Sequence, residues 1–322
     1  MAMALRWRGC ARLWHRGVYR GLHLGPLEQP ESPQPSPDSK FTNFGFREVP
    51  EQEKSKLVGE VFSNVASNYD LMNDLMSGGL HRLWKDRLVS QLAPFPGMQH
   101  LDVAGGTVRM LDMKAVMTIK LGSWCVGDVA FRVVNAIQKA EQRVPGNTLG
   151  SVDEEDRTKV YVCDINPNML EVGKKRAKER GLGNAACLVW MQGDAEALTL
   201  NDESMDGYTI AFGIRNVTHI DRALKEAYRV LRRGGRFLCL ELSHVSTPGF
   251  REVYDAYSFN VIPRIGEVVS GDRASYQYLV ESVRKFPNQE KFASMIADAG
   301  FKDVQYENLV GGVVAIHSGF KL

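Results

Sequence analysis

The sequence predicts an α/β fold: a mostly parallel, doubly wound sheet with an antiparallel hairpin at its carboxyl end and a helical segment ahead of it. Three observations predict it. From residue 99 onward, short apolar runs alternate with helical segments, the signature of strand–helix–strand units. The runs lead into Asp or Gly, as in LDVAGG, VYVCD and MQGD, where strands of a parallel sheet give way to their crossovers. The carboxyl end, FKDVQYENLVGGVVAIHSGFKL, holds two apolar runs about Gly311 and Gly312, and two strands joined that way pair antiparallel.

The elements follow in order. Residues 1–27 carry Arg6, Arg8, Arg12, Arg16 and Arg20 and no acidic residue. The last four are spaced i, i+4, so a helix would gather them on one face. An Arg-rich, acid-free, amphipathic start is the pattern of a mitochondrial transit peptide; a disordered basic tail is the blander reading. Residues 26–38, PLEQPESPQPSPD, read as an extended linker, so residues 1–40 are assigned to transit segment and linker. Residues 41–98 are expected to form a helical cap, with two helices across 51–92 separated by Ser77, Gly78 and Gly79. Residues 99–322 form the main domain. No run approaches the ~18 apolar residues of a membrane span, so membrane contact would be peripheral. Without the five amino-terminal arginines, 35 basic residues face 38 acidic ones. A mildly acidic body gives no reason to place nucleic acid among the partners. The five cysteines form no C-x-x-C pair, which argues against a disulfide framework or structural zinc, and no metal-ligand constellation is visible.

Strands are expected at 99–103, 159–163, 187–191, 208–212 and 236–241, with helices at 128–142, 168–180 and 221–231, the last stopped by Gly234 and Gly235. Between the first strand and its helix the pattern is interrupted. Residues 99–107 read QHLDVAGGT, and from Gly127 the chain reads GDVAFRVV. Joined, the flanks read LDVAGGTGDVAFR, which resembles the first motif of S-adenosylmethionine (SAM) methyltransferases. The 19 residues between them, 108–126, are mostly apolar. Closing a flexible loop of that length costs ~2.6 kcal/mol, which a fold tolerates.

Candidate site residues sit at strand ends, where such sheets bind ligands. Gly105 and Gly106 let the backbone approach a ligand, although an ordinary strand-to-helix turn uses glycine too. Asp164 ends the second strand, where a carboxylate can accept both ribose hydroxyl hydrogens. The alternative there is an N-cap for the following helix. After the third strand, Asp194 can accept from an adenine amino group while Ala195 leaves room for the ring. A nicotinamide dehydrogenase would require G-x-G-x-x-G, and residues 104–109 read AGGTVR.

Longer motifs are more specific. Tyr69-Asp70-Leu71-Met72-Asn73 is followed by Ser77, His81 and Trp84, and residues 229–243 read RVLRRGGRFLCLELS. With FGIRNVTHID at 212–221 and YSFNVIPRIGEVVSGDRASYQYLVES at 257–282, the chain resembles the ubiquinone/menaquinone biosynthesis C-methyltransferases. The family usually has Pro where this chain has Arg233. The resemblance covers residues 41–322 apart from 108–126 and a weaker patch at 140–158. It implies a class I SAM-dependent methyltransferase fold, Rossmann-like, with SAM as methyl donor and no metal. It implies SAM contacts at Thr107, Asp164, Asp194 and Ala195, alongside Gly105 and Gly127 in the joined turn. It places Arg215 and Asn216 against the substrate and Tyr69 in the cap over the site. Arg215 and Tyr69 are therefore the catalytic candidates, although Tyr69 can simply pack in the cap and Arg215 can pair with Asp206 or Asp221. His81 and Trp84, at i and i+3, read as packing.

The chemistry implied is C-methylation of a polyprenyl-benzoquinol ring carbon in ubiquinone biosynthesis, in the mitochondrial matrix and peripheral to the inner membrane. Implied partners are other quinone-biosynthesis proteins in a complex and a second copy of the chain. Met-, Leu- and Phe-rich segments at 71–84 and 257–269 can line a prenyl channel. Two rival readings stand beside this one. The first is a splice-type variant whose interruption leaves it a binding partner only; the second is a methyltransferase for another lipophilic small molecule. The interruption is expected to impair SAM binding, either by folding over the site or by drawing the helix start away.

Overall fold

A computed structural model describes residues 40–65, 73–74, 76–104, 127–142, 157–183 and 185–322, all within one compact unit. The transit and linker assignment, Tyr69, the turn at Gly105–Thr107 and the interruption at 108–126 lie outside the described residues. The strands are β1 (Phe41–Phe44), β2 (Arg47–Pro50), β3 (Gln99–Val103), β4 (Lys159–Asp164), β5 (Leu188–Gln192), β6 (Met205–Ala211), β7 (Leu231–Leu242), β8 (Lys302–Leu309) and β9 (Val314–Phe320). The helices are α1 (Glu51–Val65), α2 (Leu80–Leu92), α3 (Asp128–Glu141), α4 (Pro167–Glu179), α5 (Ile220–Val230), α6 (Phe250–Asn260), α7 (Ile262–Ser270), α8 (Arg273–Lys285) and α9 (Gln289–Asp298).

Seven strands make one sheet in the order β5-β4-β3-β6-β7-β9-β8. The first five run parallel; β9 is antiparallel to both β7 and β8. This is the expected architecture, carboxyl-terminal hairpin included. The sheet order reverses after β5, where the chain returns to place β6 on the other side of β3. That makes the carboxyl ends of β3 and β6 the topological switch point, where a ligand crevice opens in this class of sheet.

Both faces of the sheet are covered. On one, α5 presents Ala223, Leu224, Ala227 and Val230, all buried, at helical spacing. On the other, α3 presents Val129, Ala130, Val133, Val134 and Ile137, and α2 adds Trp84, Leu88, Val89 and Leu92 to the same core. Burying each such aliphatic side chain is worth about 1.5–3 kcal/mol.

The sequence reading missed two features. A hairpin of β1 and β2 precedes α1, turning at Gly45 with φ of 60°; the alternation in FTNFGFREVP was its signal. Helix α5 is not stopped by Gly234 and Gly235. It ends at Val230, and Leu231 is already extended, buried and paired with Met205 of β6. Burying Leu231 in the sheet fixes the exit, and the two glycines sit in the β7 bulge before Arg236 rejoins the ladder opposite Gly207.

Two histidines lie in the core. Nε2 of His100 donates to the Thr209 hydroxyl at 3.0 Å, and Nε2 of His317 donates to the Gln289 carbonyl at 3.0 Å. Burial lowers His100 from 6.5 to about 3 and His317 to about 4. Both stay neutral when folded, while the unfolded chain protonates them below 6.5, so stability is lost as pH falls through this window. Asp102, raised by burial from 3.8 to about 7, acts with the opposite sign, but two imidazoles outweigh one carboxylate. The denaturation midpoint is expected to fall between pH 6.5 and 4, and His317→Gln to flatten that slope. A midpoint constant over this range would contradict the assignment.

Candidate active site

The switch point is tightly built. Ala104, just after β3, has φ of 56°, and Phe212, just after β6, has φ of 59°. Left-handed backbone at such residues costs of order 1–2 kcal/mol each, and strain of this kind collects at functional sites. Beside them Gly213 admits no side chain: a Cβ there would lie 2.5 Å from that of Ala104. Two cavities open at this point, and Ala104 and Phe212 line both.

The smaller cavity, about 930 Å³ counting the space it shares with open solvent, lies over the ends of β4 and β5. Asp164, Asp194 and Ala195 line it, so the structure brings together three of the predicted residues. Asp164 is not the cap of α4. That role falls to Asn166, whose side chain accepts from the Asn168 N–H at 3.0 Å, while Asp164 Oδ1 accepts from the Asn166 N–H at 2.8 Å. Asp194 Oδ1 accepts from the Glu196 N–H at 2.9 Å. A Cβ at Gly193 would meet Cys163 Sγ at 2.9 Å, so this turn too excludes a side chain.

Helix α1 contributes Ser55, Val58 and Gly59 to the same cavity. It is tied down on both sides. The buried Lys54 Nζ donates to the Val217 carbonyl at 2.9 Å, and burial lowers its pKa, with Glu196 opposing. His219 stands between Glu196 at 2.7 Å and Glu51 at 3.1 Å. None of these ties was anticipated; they join residues distant in sequence and have no local pattern.

The larger cavity, about 1450 Å³ on the same measure, opens on the other side of Ala104 and Phe212. Its wall is mainly apolar and aromatic, with Met76, Trp84, Tyr254, Ile262, Tyr278 and Leu279 among its residues. Parts of both Met-, Leu- and Phe-rich segments thus do line a cavity. Burial pushes the Tyr278 phenol up to about 12 and raises Tyr254, so both remain hydrogen-bond donors at neutral pH. His81 and Trp84 also line it. His81 is buried, with Nε2 at 2.7 Å from Asp74, and burial lowers its pKa.

Arg215 reaches this cavity from the 3₁₀ turn Ile214–Asn216 after β6. It pairs with neither Asp206 nor Asp221, which are taken by Arg232 and Lys225. Its partner is Glu241 of β7, at 2.8 Å and equally buried. The Phe212 carbonyl accepts a second bond from Arg215 at 2.7 Å. Glu241 was missed from sequence, yet a lone charge in the apolar run FLCLEL was a visible signal.

At the start of α3, Gly127 has φ of 68°, and a Cβ there would lie 2.8 Å from the Phe131 ring. Asp102 Oδ2 accepts from the Ala130 N–H at 3.2 Å. The helix start is therefore held against the end of β3. The position of this helix start relative to Gly105–Thr107, on which the expected harm from residues 108–126 turns, lies outside the described residues. Asp128, buried beside Gly127, is ringed by Lys85 and Arg132 at 3.3 Å and Arg180 at 3.5 Å.

Residues 47–321 match the model of the ubiE/COQ5 methyltransferase family. The chain belongs to that family. It is a SAM-dependent methyltransferase. Relatives agree. A protein of Oryza sativa subsp. japonica named 2-methoxy-6-polyprenyl-1,4-benzoquinol methylase, mitochondrial, is 66% identical over 284 residues, covering 88% of this chain and 90% of its own. Its counterpart of the same name in Bos taurus is 48% identical over 340 residues, covering 98% and 96%. Their mitochondrial names accord with the arginine-striped amino terminus. Among solved structures, a SAM-dependent methyltransferase from Thermotoga maritima is similar at 17% identity and a TM-score of 0.48, over 82% of this chain and 99% of that one.

The methyltransferase depends on Gly127 for the turn into α3. Gly127→Ala is expected to destabilise the fold by at least about 1–2 kcal/mol, the cost of a left-handed alanine, with the ring contact adding to it. Urea denaturation measures this, and an unchanged midpoint would contradict the turn geometry.

Proposed function

We propose that this methyltransferase places the SAM methyl group on a ring carbon of a polyprenylated benzoquinol in ubiquinone biosynthesis. The observation that carries the reading is the pair of cavities meeting at Ala104 and Phe212, one edged with carboxylates and the other walled with apolar and aromatic groups. Two reactants of opposite character need such a junction, with reacting atoms close and water kept out. The names of the relatives support the same substrate.

The smaller cavity suits SAM by its donor set and by backbone that Gly193 brings close. Asp164 takes the hydrogens of the two ribose hydroxyls, and Asp194 accepts from the adenine amino group over Ala195. Gly105, Thr107 and Gly127 complete the SAM contacts, and the backbone N–H groups at the start of α3 suit a carboxylate. SAM supplies an electrophilic methyl group on a sulfonium. In the larger cavity Arg215 orients the quinol hydroxyl and the water that takes its proton, a role Tyr69 shares, and the ring carbon that gains the methyl group then gives up its own proton to restore the aromatic ring. Proton transfer of this kind contributes ~10²–10⁴-fold. The apolar wall receives the prenyl tail.

The remaining assignments follow from this reading. Residues 1–40 direct import to the mitochondrial matrix and link to the fold, 41–98 act as cap and 99–322 carry the chemistry. A long-tailed substrate brings the enzyme to the inner membrane periphery, among other quinone-biosynthesis proteins and as a homodimer. The contact of Asp102 with Ala130 favours an active chain over a binding-only variant, because it holds the helix start in place.

Calorimetric titration tests the cofactor half. Asp164→Ala is expected to weaken SAM binding more than tenfold, since a hydrogen bond to a charged group is worth about 1.5–3 kcal/mol. The titration is run on the full chain and on a version lacking residues 108–126, which is expected to bind SAM more tightly. Unchanged affinity in a folded Asp164→Ala variant would remove Asp164 from the site.

A further inference from the structure

Glu241 lines neither cavity, yet it is 1% exposed and charged in the middle of a sheet. Its bonds converge on one neighbour. Oε1 accepts from Arg215 Nη1 at 2.8 Å and from its own strand's Leu242 N–H at 2.9 Å. Oε2 accepts from the Arg215 backbone N–H at 3.3 Å. One carboxylate therefore holds Arg215 at both ends, backbone and guanidinium, and is itself fastened to β7. Ser282 of α8 accepts from Arg215 Nε at 3.4 Å, completing the clamp from a second element.

Stability alone does not account for this arrangement. A buried ion pair is commonly matched or bettered by a well-packed apolar pair of the same volume. What an apolar pair does not supply is a guanidinium held in one orientation at a cavity wall. Glu241 and the Phe212 carbonyl both accept from Arg215 Nη1 while Ser282 accepts from Nε, so the guanidinium is fixed at two of its nitrogens, and displacing a reacting group's support by about 1 Å can cost 10²-fold in rate.

We propose that Glu241 is the positioning residue for Arg215 in methyl transfer, acting on the substrate only through the guanidinium it holds. This rests on the reading of Arg215 as the substrate-facing residue. Four proteins test it: the full chain, Glu241→Gln, Arg215→Met and the double variant, each checked for folding by circular dichroism. Turnover is measured on a short-chain methoxy-benzoquinol, and SAM affinity by calorimetry. Glu241→Gln should lower kcat more than tenfold while SAM affinity stays within threefold. In the Arg215→Met background the same change should alter kcat less than twofold. A Glu241→Gln variant that keeps its turnover while Arg215→Met loses it overturns the proposal. So does a full additional loss in the double variant, which would give Glu241 an effect independent of Arg215. Turnover retained by Arg215→Met would instead overturn the reading of Arg215. If Glu241→Gln does not fold, the cycle is run with Glu241→Asp, which keeps the charge and withdraws it by one methylene; the same two outcomes decide.

Discussion

One buried carboxylate joins the parts on which the site depends. Asp102, at the end of β3, accepts from Thr209 of β6 at 2.8 Å and from the Ala130 N–H in the first turn of α3 at 3.2 Å. Thr209 in turn takes a hydrogen bond from His100. The strand, its neighbour across the switch point and the crossover helix are thus fixed by a single side chain. The cost is visible in its acidity, raised by burial to about 7. A group so disfavoured as a charge persists only where its hydrogen bonds are made.

The active site inherits its geometry from that tie. Just past the ends of β3 and β6, held side by side, Ala104 and Phe212 have left-handed backbone, and both line the two cavities. Helix α1 closes the smaller cavity through Lys54 and through His219 between two carboxylates. Helices α6 to α8 help wall the larger one. Chemistry at such a junction relies mainly on placement, because the methyl donor is already activated and the acceptor needs orientation and dryness.

Much of this was legible in the sequence. The alternation of apolar runs gave the sheet, and acids at consecutive strand ends gave Asp164 and Asp194, which converge on one cavity as strand order requires. Gly127 was readable from its place in the joined turn. What escaped was long-range. Glu241 and Arg215 are 26 residues apart, and pairing them needs the β6–β7 register. The rigid exit from α5 was misread because glycine is the usual helix stop, while here burial of Leu231 decided. The interruption looked most threatening from sequence, since adjacency in the chain was broken. The end of β3 and the first turn of α3 are nonetheless in contact, through Asp102 and Ala130.

The central claim is that a methyl group passes from SAM to a ring carbon at the junction of the two cavities. The most direct measurement incubates the protein with SAM labelled in its methyl group and a short-chain methoxy-benzoquinol, then locates the label in the product. The account predicts label on a ring carbon. Label on a hydroxyl oxygen, or a chain that binds both compounds and transfers nothing, would contradict it.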